Sequence, residues 1–193
     1  MKAHTLIALI PAAMLGACSP TEPPPIEPAP PPAPPAAATP SSTAEANLLA
    51  APSTVPNGTG PAGTLQLTAA AGGVQITGTI TGLPPKSEHG FHVHETGDCA
   101  APDFKSAGEH FNPEKGQHAE PTSPNRHLGD VPNITADETG TALVNVTVTG
   151  ATLKDMGPHD LMGKALIVHA KKDDYKTQPS GDSGDRIACG VIR

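Results

Sequence analysis

The stretch His89-Gly-Phe-His-Val-His-Glu-Thr-Gly-Asp-Cys99, near the middle of the chain, reads as a strand running into a loop. Phe91 and Val93 alternate with His92 and His94, and residues two apart on a strand share a face. One face then belongs to a core, and the other carries two imidazoles side by side. That spacing suits two ligands of a metal preferring square or tetragonal nitrogen coordination, copper first among them. A polar surface strand can show the same pair, so the reading depends on what lies around it.

Downstream comes a second cluster: His110 in Gly-Glu-His-Phe-Asn-Pro, then His118, then His127 and Asp130 in Arg-His-Leu-Gly-Asp. The residues between them are rich in Gly, Pro, Ser and Asn and read as one long loop, a kind of segment that is usually functional when ordered. Three imidazoles and a carboxylate form a closed tetrahedral set of the sort that holds a structural zinc. A third segment, Lys-Ala-Leu-Ile-Val-His-Ala at 164–170, places His169 at the end of an apolar run that reads as a buried strand or core segment. The chain has nine histidines, and six of them fall in these three segments as candidate ligands.

Outside them the pattern is of short extended pieces separated by turns. Candidate strands span 46–51, 63–69, 74–81, 143–149, 164–170 and 186–192, and Gly72-Gly73 marks a tight turn before the third. No segment sustains a helical period, so the fold class is all-β. Aromatic residues make up only 2% of the chain, which leaves the core to Val, Ile, Leu and Ala. A formal net charge of -7 argues against nucleic acid as a partner.

Five motifs, in order, resemble those of the bacterial copper/zinc superoxide dismutases: Gly-Phe-His-Val-His-Glu (90–95), Gly-Glu-His-Phe-Asn-Pro (108–113), Arg-His-Leu-Gly-Asp (126–130), Ile-Val-His-Ala (167–170) and Gly-Asp-Arg-Ile-Ala-Cys-Gly-Val-Ile (184–192). The resemblance covers 44–193. It implies an eight-stranded Greek-key barrel, akin to an immunoglobulin-like sandwich, with long metal-binding loops. It also implies disproportionation of two superoxide anions to dioxygen and hydrogen peroxide by Cu(II)/Cu(I) cycling. His92, His94, His110 and His169 would bind copper, and His110, His118, His127 and Asp130 would bind zinc. The shared His110 would bridge the metals and pass a proton to the nascent peroxide. Arg186 would hold the anionic substrate, and Asp173, with Asp174 as a neighbouring candidate, would link ligands of the two metals by hydrogen bonds. His89 and His159 fall where the family has structural histidines. Glu109 departs from the Gly or Pro that the family usually carries there. The resemblance pairs Cys99 with Cys189, a disulfide closing about 90 residues and suited to an oxidising compartment.

Residues 1–17 read as an export signal: Lys2 gives a positive start, 5–15 is an apolar run shorter than a membrane span, and Leu15-Gly16-Ala17 precedes Cys18. Leu-Gly-Ala-Cys resembles a bacterial lipoprotein signal, with Cys18 as the lipidated residue; ordinary secretory cleavage nearby is the alternative. Three Cys is an odd count for an exported chain and asks a separate fate for one of them. Residues 18–43 form a Pro/Ala-rich stalk reaching on the order of 70 Å, at about 3.1 Å per residue. The expected location is the cell envelope or periplasm, anchored to a membrane through the lipid alone. A homodimer is compatible with the sequence, as is a monomer. Superoxide is an anion and the chain is net negative, so Lys171, Lys172 and Lys176 are candidates for a local positive funnel. A metal buffer or copper donor is the competing function; possession of every ligand and of Arg186 favours the enzyme.

Overall fold

The computed structural model describes residues 42–52 and 60–193; the expected leader and nearly all of the expected stalk, Cys18 included, lie outside them. Nine strands are described: β1 (Thr43–Ala50), β2 (Ala62–Ala70), β3 (Gly73–Thr81), β4 (Glu88–His89), β5 (Phe91–His94), β6 (Ile134–Thr135), β7 (Ala142–Thr149), β8 (Ala165–His169) and β9 (Arg186–Val191). The only other regular element among these residues is one 3-10 turn, Lys105–Ala107. The count exceeds the expected eight by one, because a break at Gly90 divides 88–94 into β4 and β5.

Seven strands form one antiparallel sheet in the order β5-β8-β9-β1-β2-β3-β7. β1 joins its halves, pairing with β2 over its first six residues and with β9 at Leu49 and Ala50. The sheet curls, and its two edge strands are connected through the β4–β6 ribbon. Only Gly90 separates β4 from β5, and β6 runs toward β7 through the Ala136–Ala142 bridge.

Two kinds of strand build this sheet. In β1, β2, β3 and β7 burial alternates, with Leu48, Leu65, Leu67, Ile76, Ile80, Val144 and Val148 inside. Polar residues on the outer face are tied across strands: Gln66 Nε2 donates to Glu45 Oε2 at 2.6 Å and Gln75 Nε2 to Asn145 Oδ1 at 3.1 Å. Gly72, at a φ of 81°, makes the turn from β2 into β3, a conformation costly for other residues.

In β5, β8 and the middle of β9, by contrast, both faces are buried. Phe91, Val93, Leu166, Val168 and Ala188 join the main core, while Ala165, Ile167 and Cys189 pack into a second cluster with Ala51, Phe104 and Ala107. The second cluster is the underside of the loop that follows β5. The Cys99–Cys189 disulfide fastens that loop to β9.

Closing a loop over a sequence separation of 90 should make the disulfide a large contributor. Replacing both Cys99 and Cys189 with Ala is expected to lower unfolding free energy by about 2–5 kcal/mol, read from denaturant midpoints. A difference below ~0.5 kcal/mol would mean that the second hydrophobic cluster alone retains the loop.

Candidate metal centre

Register brings the ligand face together. In the β5–β8 pair His92 lies opposite Ile167 and His94 opposite Ala165, so His92, His94 and His169 share the outer face with the second cluster. A bulge between Val168 and His169 sets His169 opposite Arg186 rather than Ile187. Bulges re-aim side chains, and this one turns Arg186 to the ligand face while Ile187 stays in the core. His110 arrives from the long loop through an isolated bridge to His94, and Asp130 through one to His92. Gly129 permits the second approach, because a Cβ there would collide with the Val93 carbonyl oxygen.

Two groups of four result: His92, His94, His110 and His169, and His110, His118, His127 and Asp130, the prospective donor atoms of each group lying within 4.8 Å of one another. All are buried. His110 belongs to both.

The other ring nitrogens fix which atoms face inward. His92 Nε2 donates to Asp173 Oδ2 at 2.7 Å, His94 Nδ1 to the Gly108 carbonyl at 2.9 Å, and His169 Nδ1 to the Gly184 carbonyl at 3.2 Å. Their inward nitrogens, His92 Nδ1, His94 Nε2 and His169 Nε2, are thereby left with lone pairs. Those of His94 and His169 face each other at 3.4 Å, an arrangement that a cation between them relieves. His92 Nδ1 and His110 Nε2 are buried without any hydrogen-bond partner, as is His127 Nδ1. Such atoms are rare in a finished interior; two of them have no polar partner and the third, His127 Nδ1, has only Asp130 Oδ1 at 3.3 Å, an arrangement that fits a pair of metal ions.

In the second group Asp130 Oδ1 meets the Nδ1 atoms of His110, His118 and His127 at 2.7, 3.0 and 3.3 Å. Asp130 Oδ2 accepts the backbone N–H groups of Ala119 and His127, which holds the carboxylate at a fixed angle. Asp173 spans the groups, because its Oδ1 accepts from His118 Nε2 at 2.9 Å while Oδ2 serves His92. Asp174 is exposed and caps the turn at Lys176 and Thr177, so the carboxylate linking the two groups is Asp173.

Sequence reading missed the residues that hold these in turn. Asn133 exchanges two hydrogen bonds with the Asp173 main chain, and Gln178 does the same with that of His118. Gly181 adopts a φ of 69°, and a Cβ there would strike Asp173 Oδ1 and His118 Nε2. The one available signal was polar or glycine character close to ligands in sequence or register, which surface loops share. His89 bonds the His169 carbonyl and Ser87, and His159 pairs with Glu114 at 2.6 Å; neither joins a ligand group.

Burial lowers the pKa of His92, His94, His110 and His169, that of His110 to about 4. In the metal-free protein these four rings are therefore neutral at neutral pH, with lone pairs available. Burial acts the same way on His118, but Asp130 and Asp173 outweigh it and raise its pKa to about 9. Arg186 is half-buried; burial lowers its pKa, opposed by the charges of Glu109 and Asp103. Its Nη1 donates to the Phe104 carbonyl at 2.8 Å and Nη2 to that of Gly108 at 2.7 Å.

Fold and site together define a class: an antiparallel β-barrel carrying two buried groups of candidate metal ligands that share one imidazole. The family model for copper/zinc superoxide dismutase (SODC) matches residues 61–192, and the chain belongs to that family. Two curated relatives, Superoxide dismutase [Cu-Zn] 2 and Superoxide dismutase [Cu-Zn] 1 of Aquifex aeolicus, are 46% and 45% identical over 124 residues. These cover 63% of this chain and 72% and 73% of theirs. Among solved structures, a SOD-like protein from Bacillus subtilis superposes with a TM-score of 0.68 at 33% identity, over 77% of this chain and 97% of its own. The clock protein EA4 gives 0.68 at 38%, over 80% and 95%. The chain's activity is accordingly the disproportionation of superoxide, with copper and zinc as cofactors.

Because the folded pKa of His118 lies above its ordinary 6.5, this group stabilises the metal-free fold below that pH and loses the contribution as pH rises through about 9. Zinc held by the expected ligand set would displace the same proton. Zinc titration near neutral pH should release about one proton per ion, fading above pH 9, as read by calorimetry in buffers of different ionisation enthalpy. Release unchanged across that range would contradict a protonated His118.

Proposed function

We propose that His92, His94, His110 and His169 hold the copper, that His110, His118, His127 and Asp130 hold the zinc, and that Arg186 receives superoxide. The observation that carries this reading is the pair of buried nitrogens without a hydrogen bond, His92 Nδ1 and His110 Nε2, with the other His110 nitrogen turned to Asp130, which leaves His110 with one nitrogen for each group. When bound, copper supplies one-electron exchange with superoxide, and zinc supplies a redox-inert charge.

The chain's own residues do the rest. With two guanidinium nitrogens held by backbone carbonyls, Arg186 presents a fixed charge to a small anion, with little ordering left to occur on binding. His110 is kept in orientation by Asp130, and its Nε2 takes up and then delivers a proton to the departing peroxide. Asp173 keeps His92 and His118 in register. Of the three lysines considered for a funnel, Lys172 is paired with Glu88 at 2.6 Å and Lys171 with Asp182 at 3.8 Å. Lys176 has no ion pair among the described residues and is the lysine that we retain for steering.

We also place the protein in the cell envelope, tethered by lipid at Cys18 and protecting that compartment from superoxide. The Cys99–Cys189 disulfide supports an oxidising location, and it leaves Cys18 as the unpaired third cysteine. On this reading, Cys18→Ser in the full chain moves the protein from the membrane to the soluble fraction with its specific activity unchanged. Retention in the membrane fraction would overturn the anchor.

In the metal-loaded full chain, His92→Ala should abolish activity and lose copper while retaining zinc. Arg186→Ala should retain both metals and lose about tenfold or more in kcat/KM at low salt. Metal analysis beside pulse-radiolysis rates decides the matter. A parent protein that holds both metals yet does not turn over would point to a metal carrier.

A further inference from the structure

Arg186 sits between two short backbone segments, each with an acidic side chain next to the carbonyl that holds it. On one side is Phe104, preceded by Asp103, whose carboxylate is 2.8 Å from Lys105 Nζ. That ion pair cancels most of the Asp103 field at a distance. On the other side is Gly108, followed by Glu109, which is exposed and takes part in no ion pair among the described residues. The Glu109 backbone is fixed as well: its N–H donates to Glu95 Oε1 at 3.3 Å and its carbonyl accepts from Glu95 N–H at 3.0 Å. The neighbouring residues His94 and His110 pair across the same bridge. Among the charges acting on the guanidinium, that of Glu109 is the largest, ahead of Asp103. An uncompensated negative charge is therefore held one residue from the Arg186 anchor and one residue from the shared imidazole.

We propose that Glu109 determines anion selectivity at the copper site, admitting singly charged superoxide while turning multiply charged anions away from Arg186. The reasoning is Coulombic. A lone guanidinium attracts a dianion about twice as strongly as a monoanion, which would favour ions such as hydrogen phosphate over the substrate. A carboxylate carried nearby on a fixed stretch of backbone removes part of that bias, and its penalty also scales with the charge of the visitor. At a separation on the order of 10 Å and an effective dielectric of about 40 to 80, the penalty is roughly two- to fourfold in affinity per unit charge. For a dianion the factor is squared, to about four- to sixteenfold. The cost is a slower capture of superoxide itself.

This inference rests on the copper and Arg186 assignments above, and the test separates the two. In the metal-loaded full chain, azide is titrated against the visible copper(II) spectrum, and inorganic phosphate in mildly alkaline solution is titrated as a competitor of azide. Both are compared for the parent, Glu109→Gln and Glu109→Lys at low and high salt. At low salt Glu109→Gln should bind azide about two- to fourfold more tightly and phosphate by about the square of the azide factor. The dismutation rate should rise in parallel, with Glu109→Lys going further on all three. Near 1 M salt, where the screening length is about 3 Å, the differences should vanish. Unchanged affinities, or equal gains for both anions, or gains that persist at high salt, would overturn the proposal. An azide-insensitive copper spectrum in the parent would instead overturn the site assignment, and the proposal with it.

Discussion

Burial of eight ionisable side chains in one place is the constraint to which the rest of this fold answers. His92, His94, His110, His118, His127, His169, Asp130 and Asp173 all lie in the interior, where charge is costly unless compensated. Neutral rings on one side and a hydrogen-bonded imidazolium–carboxylate set on the other keep the metal-free protein tolerable. The lone pairs left over make it a receptor for two cations. His110 lies at the junction, and its position is set from both ends, by the bridge to His94 and by Asp130.

The sheet supplies rigidity where this arrangement needs it. Three of the six imidazoles stand on paired strands, β5 and β8, whose inner faces are locked into the main core. The others come from a loop that would be poorly determined on its own. It is fastened instead by the disulfide, by the second hydrophobic cluster and by the Asn133 and Gln178 hydrogen bonds. Arg186 depends on the same devices. The β-bulge points it, and the loop carbonyls of Phe104 and Gly108 hold it, so fastening the loop also fixes the substrate's docking charge.

How much of this the sequence displayed follows from which forces leave a local trace. Alternation exposed β2, β3 and β7 nearly to the residue, because one side of each faces water and the other a core. β8 showed as an apolar run, since the loop after β5 covers its outer face. β6 was invisible: two residues have no period, and their pairing with β4 is a tertiary event. The residues of the two buried clusters were legible because the imidazoles group in sequence, and their order matched the motifs of a known family. Asn133, Gln178 and Gly181 were not, because they act through main-chain contacts or close approach that any loop composition can hide. The bulge that orients Arg186 likewise exists only as a mismatch between two strands.

On the proposed assignment one imidazole, that of His110, is shared by two different metals. Crystals of the copper- and zinc-loaded protein, measured with anomalous scattering on both sides of each metal's absorption edge, test it directly. A copper peak is expected among His92, His94, His110 and His169 and a zinc peak among His110, His118, His127 and Asp130, with the His110 ring between them. A single metal, or two metals with the His110 ring bonded to only one, would contradict it.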